Sequence, residues 1–414
     1  MDGFMLQTVK VPTTDLTKGM FVSGLDRDWL GTPFLTQGFL LTSENDIERV
    51  RDYCEFVWVD IQKCVYVSAN LQRMAQGERQ RVSMTEIFKG RQLKAYADQA
   101  EWKEEHPRAT KALTTLLTDI TDIFDKAAEN GKLDAIRLKT SADPIVGSIS
   151  RNPDACLWLG RLKQHDEYSY QHSLSVAIWA VAVGRQIGLH KRDLRSLAIG
   201  AMLMDVGKLL VDPELLQANR KLTEEETREM RHHVAHGVHL VKKSGIVNQD
   251  VLDMVAFHHE RHDGSGYPRG LKGDQIPAFA RIAGIVDTYD AITSQRSYAE
   301  ARAPADAIKI LYEERDKRFQ AELIEALIQA IGIYPAGTIV ELTSGEVGIV
   351  VAESRTRRLL PKVILVLNRK KQAYPRPKLV DLQDTRGPYQ DKPISISKSL
   401  EPGAFGIDIG HYQF

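Results

Sequence analysis

The spacing of apolar residues changes twice along the chain and divides it into three parts. Up to about residue 70, short apolar or β-branched runs are bounded by Gly, Pro, Asp and Ser, which predicts short strands. These runs are 9–11, 20–22, 39–41 and 56–59. One helix is expected here, because residues 43–46 can cap it and Ile47, Val50 and Tyr53 recur on one face.

Between residues 108 and 332, apolar residues recur every three or four positions, which predicts helices. The segment 174–187 is apolar on most sides, so we expect a buried helix there. Another helix is predicted to begin at Thr223, where Glu226 completes a capping box. The polar stretch 71–108 is typical of an exposed helix or a linker.

After Gly332, β-branched runs return at 338–342, 347–351 and 362–367, which predicts a hairpin or small sheet. The Pro- and Gly-rich tail beyond Pro375 is expected to be irregular. The predicted fold is therefore mainly α, with a smaller strand-rich N-terminal domain and a short C-terminal β extension. We expect domains at 1–70 and 140–334, a helical, charged linker at 71–139, and the extension with its tail at 335–414.

Composition narrows the class of protein. In 414 residues, 55 Lys and Arg balance 55 Asp and Glu, which argues against a general nucleic-acid binder. Three scattered cysteines argue against a disulfide framework or a cysteine-based zinc site and suit a reducing compartment. No run reaches the roughly 20 apolar residues of a membrane helix, and residues 1–10 lack a signal-peptide pattern. We therefore expect a cytoplasmic protein without a membrane span.

Histidines are concentrated in one part of the sequence. Seven of the 12 lie between positions 232 and 262, and His258 and His259 are adjacent, directly before a Gly-rich turn. Two neighbouring imidazoles followed by a turn can each offer a nitrogen to a metal ion. Carboxylates flank this region at Asp205 and Asp287. Mixed imidazole and carboxylate ligands suit iron, manganese or zinc.

Asp205 and Lys208 suggest a phosphoester substrate. A bridging carboxylate can hold two metal ions about 3.5–4 Å apart, the arrangement that activates water for in-line attack on phosphorus. Lys208 is then expected to neutralise charge on the phosphate. The simpler interpretation is a local ion pair between Asp205 and Lys208, three residues apart.

The ordered motifs of residues 140–334 resemble those of the HD-GYP domain family, a subset of the HD phosphohydrolases. They are the segments 168–173, 205–208, 221–226, 233–237, 258–268 and 287–298. The 258–268 segment reads His-His-Glu-Arg-His-Asp-Gly-Ser-Gly-Tyr-Pro. Residues 5–70 resemble a domain often fused in front of HD-GYP domains.

The resemblance implies an all-helical HD-type bundle and hydrolysis of the bacterial second messenger cyclic di-GMP, through the linear dinucleotide to GMP. Biofilm formation and motility are processes in which such signalling acts. The implied metal ligands are His172, Asp205, His233, His258, His259 and Asp287. Asp205 and Lys208 are the implied catalytic residues, and the implied substrate contacts are Lys208, Arg296, Tyr267, Gly264 and Gly266.

Two departures from the family pattern affect the expected metal content. The motif histidine before Asp205 is Met204, whose thioether is a poor ligand for iron or manganese. Tyr168 occupies a position where three-metal members carry glutamate. We therefore expect at most two divalent ions, with iron or manganese favoured, and no organic cofactor.

Met204 also motivates an alternative from another class, a catalytically weak or inactive cyclic-di-GMP sensor or adaptor. It would act through a diguanylate cyclase or another signalling protein at the Gly-Tyr-Pro loop, and homodimer formation is a further expectation. A third alternative is a hydrolase of another phosphoester.

Several of these residues also have ordinary structural interpretations. His172 lies in an apolar helix, where a histidine can simply be a hydrogen-bonded core residue. We expect Met204 to fill the core. Asp263 and Asp290 can be turn or helix-cap residues instead of metal ligands. The neighbouring histidines compete with His233 as ligands and are expected to be solvated surface groups: His232, His236 and His239.

Overall fold

The computed structural model describes residues 8–27, 32, 34, 38–65, 82–161, 168–216, 218, 220–295, 301–352, 359–383 and 394–412. The chain forms two compact units, Met1–Gly90 and Arg91–Phe414. Within the described residues, no helix combines the length and the apolar character needed to cross a bilayer.

The first unit is built on a four-stranded antiparallel sheet in the order β1-β4-β2-β3. Its strands are β1 (Thr8–Pro12), β2 (Phe21–Leu25), β3 (Phe39–Leu40) and β4 (Phe56–Asp60). Helix α1 (Glu44–Tyr53) buries Ile47 and Val50, and Ser43 and Asp46 form its capping box, as the sequence predicts. A short helix, α2 (Met84–Ile87), follows.

The second unit is mainly helical, which confirms the predicted fold class. Its helices are α3 (Trp102–Asn130), α4 (Ala135–Arg151), α5 (Pro153–Leu159), α6 (Tyr168–Ile187), α7 (Lys191–Leu203), α8 (Pro213–Leu216), α9 (Glu224–Arg231), α10 (His233–Lys243), α11 (Gln249–Phe257), α12 (Ala278–Thr293), α13 (Pro304–Glu313) and α14 (Ala321–Ile331). A 3-10 helix, Val206–Leu210, follows α7.

Helix α6 is the central element of the helical unit. Almost every described side chain from Gln171 to Leu189 is buried, as the apolar pattern predicts. It packs against α7, α12 and α14. Helix α3 begins at Trp102, within the stretch predicted to be a linker, and buries one apolar face along its length.

The C-terminal part of the second unit is a five-stranded antiparallel sheet in the order β8-β7-β6-β5-β9. Its strands are β5 (Ile339–Leu342), β6 (Val347–Ala352), β7 (Lys362–Leu367), β8 (Ala373–Asp381) and β9 (Ile396–Ser399). Buried Val340, Val350 and Val363 form the centre of its core.

The prediction of an irregular tail beyond Pro375 was wrong. That proline and Pro377 both lie inside β8, and β9 follows later in the chain. Strand β8 is an edge strand, and its pairing with β7 shifts register between Leu365 and Leu367. Edge strands and bulges are the places where a sheet tolerates proline, because a missing N–H breaks no regular ladder there.

Candidate metal centre

The predicted ligands come from five different elements and meet at one place. His172 lies on α6, and Asp205 follows α7 at the start of the 3-10 helix. His233 is the first residue of α10, and the adjacent pair His258 and His259 directly follows α11. Asp287 lies within α12.

The six side chains form two groups that share one carboxylate. The first group is Asp205, His233, His258 and His259, and the second is His172, Asp205 and Asp287. Within each group the possible ligand atoms all lie within 4.8 Å of one another.

Asp205 directs its two oxygens to different groups. Its Oδ1 lies 3.4 Å from His233 Nε2 and 3.7 Å from His258 Nε2. Its Oδ2 lies 3.5 Å from His172 Nε2, which is 3.4 Å from Asp287 Oδ1. Ligand atoms about 2.1 Å from one ion and roughly at right angles lie about 3 Å apart, so these spacings suit a cation.

Several buried atoms at the centre make no hydrogen bond. Within the described part of the chain, Asp205 Oδ1, His233 Nε2 and His258 Nε2 are buried without a hydrogen bond. Leaving such atoms unpaired costs about 1–3 kcal/mol each. A divalent cation between them would satisfy all three, so the residues present fit a metal ion.

The other ring nitrogens hold the imidazoles in place. His233 Nδ1 lies 2.7 Å from the Met230 carbonyl, and His258 Nδ1 lies 3.1 Å from the Met254 carbonyl. A carbonyl can only accept, so Nδ1 carries the proton in both rings. The lone pair of Nε2 is therefore available at the centre, as a metal-binding histidine requires.

His172 is oriented by Asp290, so the alternative that Asp290 is a turn or helix-cap residue does not hold. It lies inside α12 and is fully buried, with Oδ2 2.7 Å from His172 Nδ1. The indole N–H of Trp179 and the hydroxyl of Ser294 donate to the same carboxylate. The three-residue spacing from Asp287 to Asp290 was a signal in the sequence, because it places both on one helix face.

Burial and charge separate the histidine pKa values. Burial opposes protonation of His172, but Asp205, Asp287 and Asp290 outweigh it and raise the pKa to about 10. Burial lowers the pKa of His233 to about 4. The pKa of Asp205 is well below its usual range, because Lys208 and His172 outweigh the opposing effect of burial. Without a cation, the three carboxylates therefore favour the protonated form of His172.

Three glycines allow the histidine backbones to approach. A Cβ on Gly207 would lie 1.8 Å from the His233 carbonyl oxygen. A Cβ on Gly266 would lie 2.4 Å from the carbonyl oxygen of His259, and one on Gly284 would lie 2.7 Å from that of His258. The short distances between ligands depend on these close backbone contacts.

Lys208 lies beside the shared carboxylate. Its Nζ donates to Asp205 Oδ2 at 2.7 Å, and 40% of its side chain is exposed. The local ion pair considered from the sequence is therefore present. A half-exposed ammonium at the edge of the cluster is also positioned to meet an anionic substrate.

The Gly-Tyr-Pro loop folds back on the cluster. Buried Glu260 fixes it by accepting the backbone N–H groups of Arg269 and Leu271 at 2.7 and 2.9 Å. The Tyr267 ring stacks on His259 with 4.6 Å between centroids, and the Arg231 guanidinium lies 4.7 Å from the Tyr267 centroid. Sequence reasoning missed Glu260 and Arg231, because neither stands out without the fold.

The remaining candidates are placed as follows. Met204 is completely buried at the end of α7. Gly264 takes a positive φ of 83°, and Asp263 accepts the Ser265 N–H in a local turn. Arg296 and the Tyr168 side chain lie outside the described residues.

The neighbouring histidines are not part of either ligand group. His232 and His239 are exposed, in agreement with the expectation of surface groups. His236 is half-buried instead, and its Nδ1 is buried without a hydrogen-bond partner among the described residues.

Comparisons with known proteins identify the family. The family model of the HD domain matches residues 160–323, and that of a domain of unknown function (DUF3391) matches residues 8–137. Cyclic di-GMP phosphodiesterase PA4108 of Pseudomonas aeruginosa is 32% identical over 375 residues, which cover 90% of this chain and 88% of the relative.

Two further relatives match a smaller part of the chain. The cyclic di-GMP phosphodiesterase response regulator RpfG of Xanthomonas campestris is 38% identical over 36% of this chain and 39% of its own length. The 3'3'-cGAMP-specific phosphodiesterase 3 of Vibrio cholerae is 33% identical over 41% of this chain and 36% of its own. The full-length match shows that this chain belongs to the HD-GYP family of HD-domain proteins, with the N-terminal domain that the long relative shares.

Proposed function

We propose that the protein is a metal-dependent phosphodiesterase that hydrolyses cyclic di-GMP through the linear dinucleotide to GMP. The observation that carries the proposal is the position of Asp205 between two groups of ligands, with its oxygens directed to different groups. The 32% identical relative, which is named a cyclic di-GMP phosphodiesterase, supports the choice of substrate.

Two divalent ions, with iron or manganese favoured, would be held by the six clustered side chains. One group offers a carboxylate and three imidazoles, and the other offers two carboxylates and one imidazole. When bound, such ions polarise phosphoryl oxygens and activate water for attack on phosphorus.

The chain's own residues orient the substrate and balance its charge. Lys208 would donate one N–H to Asp205 and another to a phosphate oxygen, since its ammonium carries three donors. Arg296, Tyr267, Gly264 and Gly266 remain the proposed further substrate contacts. The water oxygen bonds to phosphorus, one ester bond to ribose breaks, and the released ribose oxygen takes a proton.

Met204 supports a second candidate, a nucleotide sensor with little or no turnover. The family's histidine is absent at this position, and the thioether is buried without exposure to solvent. One of the two ions would then have one fewer imidazole ligand and bind more weakly. In this case the protein would act through a diguanylate cyclase or another signalling protein at the Gly-Tyr-Pro loop.

The test is turnover of cyclic di-GMP by protein loaded anaerobically with Fe(II) or Mn(II), with metal content measured in the same samples. We expect hydrolysis with about two ions per chain, and loss of at least a thousandfold in kcat for Asp205→Ala. Asp212→Ala is the matched control, because Asp212 is exposed and only caps a local turn.

Two further arms separate the alternatives. If only the Met204→His variant hydrolyses cyclic di-GMP, the result would support the sensor hypothesis and contradict the enzyme hypothesis for the unaltered protein. The dinucleotide 3'3'-cGAMP is run in parallel, because one relative is named for that substrate. Faster hydrolysis of 3'3'-cGAMP than of cyclic di-GMP would show that the proposed substrate is wrong, but the protein would still be a phosphodiesterase.

A further inference from the structure

Arg91, outside the candidate metal centre, touches three helices at once. Its guanidinium donates to Asp193 on α7 and, at 2.6 Å, to Asp250 on α11. It also lies 4.6 Å from the ring centroid of Phe279 on α12. All three contacts fall in the first turn of their helix.

These same three helices carry ligands further along. Helix α7 leads directly into Asp205, α11 leads into His258 and His259, and α12 carries Asp287. At 1.5 Å per residue, the distance from an Arg91 contact to the ligand on the same helix is about 12–18 Å. Their first turns meet at one guanidinium and their later residues meet at Asp205, so the three helices run side by side in one direction.

Arg91 begins a segment that we call the strap, residues 91–100. The structure describes all of it, and it forms neither helix nor strand. The Lys94 N–H donates to the Gly188 carbonyl at 2.7 Å, and the Tyr96 hydroxyl donates to Leu189 at 2.8 Å. Asp98 pairs with Arg185 at 2.6 Å. The strap therefore follows the far end of α6, the helix whose other end carries His172.

Arg91 is the cation between two carboxylates that lie on different helices. Asp193 is almost fully buried, whereas 24% of the Arg91 and Asp250 side chains is exposed. Two partly buried carboxylates close to one another repel when the cation between them is removed. The planar guanidinium holds both with separate nitrogens, which a point charge cannot do equally well.

We propose that Arg91 is a positioning residue that sets the spacing of α7, α11 and α12, and through them the geometry of the metal ligands. This inference rests on the proposed function only in taking the clustered side chains as metal ligands. Metal affinity depends steeply on ligand placement, with a tolerance of about 0.2 Å in each bond. A small change of helix spacing at the strap is thus expected to weaken metal binding about 15 Å away.

The experiment measures Mn²⁺ binding to the full-length metal-free protein, without substrate. For Arg91→Ala we expect the dissociation constant for Mn²⁺ to rise at least tenfold. Arg137→Ala is the control: Arg137 on α4 also pairs with two carboxylates, Asp119 and Asp122, which both lie on α3, and neither helix carries a ligand. Its dissociation constant is expected to stay within twofold of the unaltered protein.

Two milder variants test the idea without relying on a truncated side chain. Arg91→Lys keeps the charge but reaches only one aspartate well, so an intermediate affinity is expected. Asp250→Asn removes the carboxylate charge from one of the two ion pairs of Arg91. Because that ion pair is already lost in Arg91→Ala, the double variant should bind Mn²⁺ as tightly as Arg91→Ala alone. Thermal unfolding of each metal-free variant accompanies these titrations.

The outcomes divide clearly. Equal dissociation constants for Mn²⁺ in Arg91→Ala and Arg137→Ala would overturn the inference. The inference would also be wrong if the unfolded fraction of Arg91→Ala accounted for its whole loss of Mn²⁺ affinity. Unaltered protein that binds Mn²⁺ but does not hydrolyse cyclic di-GMP would contradict the proposed function alone. Unaltered protein that binds no Mn²⁺ would overturn both.

Discussion

Gly207→Ala is the sharpest test of how the cluster is built. The added Cβ would lie 1.8 Å from the His233 carbonyl oxygen and 2.4 Å from the Gly237 nitrogen. A carbon and an oxygen in ordinary contact are about 3.3 Å apart, so the segments must separate by about 1.5 Å. Both obstacles are backbone atoms, which cannot rotate away as a side chain would.

The expected cost follows from that displacement. Overpacking a buried site costs about 1–3 kcal/mol, and a clash with rigid backbone belongs at the upper end of that range. About 3 kcal/mol corresponds to a fall of roughly 4–5 °C in the melting midpoint for a unit as long as Arg91–Phe414. The same shift separates Asp205 from His233, and it is several times the tolerance of about 0.2 Å in a metal–ligand bond.

Thermal unfolding by circular dichroism and titration with Mn²⁺ measure the two effects. Gly147→Ala is the matched control, because Gly147 lies within α4 and its nearest obstacle is the flexible Arg151 side chain at 3.4 Å. That control should be neutral or up to about 1 kcal/mol more stable, since alanine favours a helix. Equal stability and metal affinity in the two variants would refute the reasoning.

Three further predictions concern single side chains. Asp290→Asn removes the carboxylate behind His172 and should weaken Mn²⁺ binding about 10–100-fold in a titration; unchanged affinity would contradict its orienting role. Burial opposes ionisation of Glu105, but Arg151 outweighs it and keeps the pKa below 4.5. This stabilisation is present above pH 4.5 and is lost as the pH falls through the lowered pKa. Glu105→Gln should therefore make the urea midpoint depend less on pH in the acid range, and an unchanged pH dependence there would contradict the prediction. Ser43→Ala removes a helix cap and should cost about 1 kcal/mol in chemical unfolding of the first unit, against no loss if the cap is unimportant.

Much of the fold was predictable because the relevant signals are local. The cap at Ser43, the capping box at Thr223 and the apolar face of α6 depend on residues within a few positions of one another. The C-terminal strands 338–342, 347–351 and 362–367 were also predicted, within one residue of their observed limits. Strand β8 was missed because its prolines are compatible with a strand only at an edge, and edges are set by the whole sheet.

The site was only partly predictable for the same reason. Residue type and the family resemblance pointed to the six candidate ligands, and the structure brings their side chains together. The supporting residues gave weaker signals. Asp290 becomes recognisable only when α6 and α12 lie side by side, and Glu260 only when the loop folds back onto it. Arg91 lies more than 100 residues from both of its acidic partners.

The two prolines of β8 also affect how the protein behaves at high concentration. An exposed edge strand presents unpaired N–H and C=O groups that a second molecule can extend into a continuous sheet. Pro375 and Pro377 lie in this edge strand and carry no N–H, so the strand offers two fewer backbone donors than it would with other residues there. The C-terminal sheet is thereby protected along this edge against self-association, the first step towards aggregation.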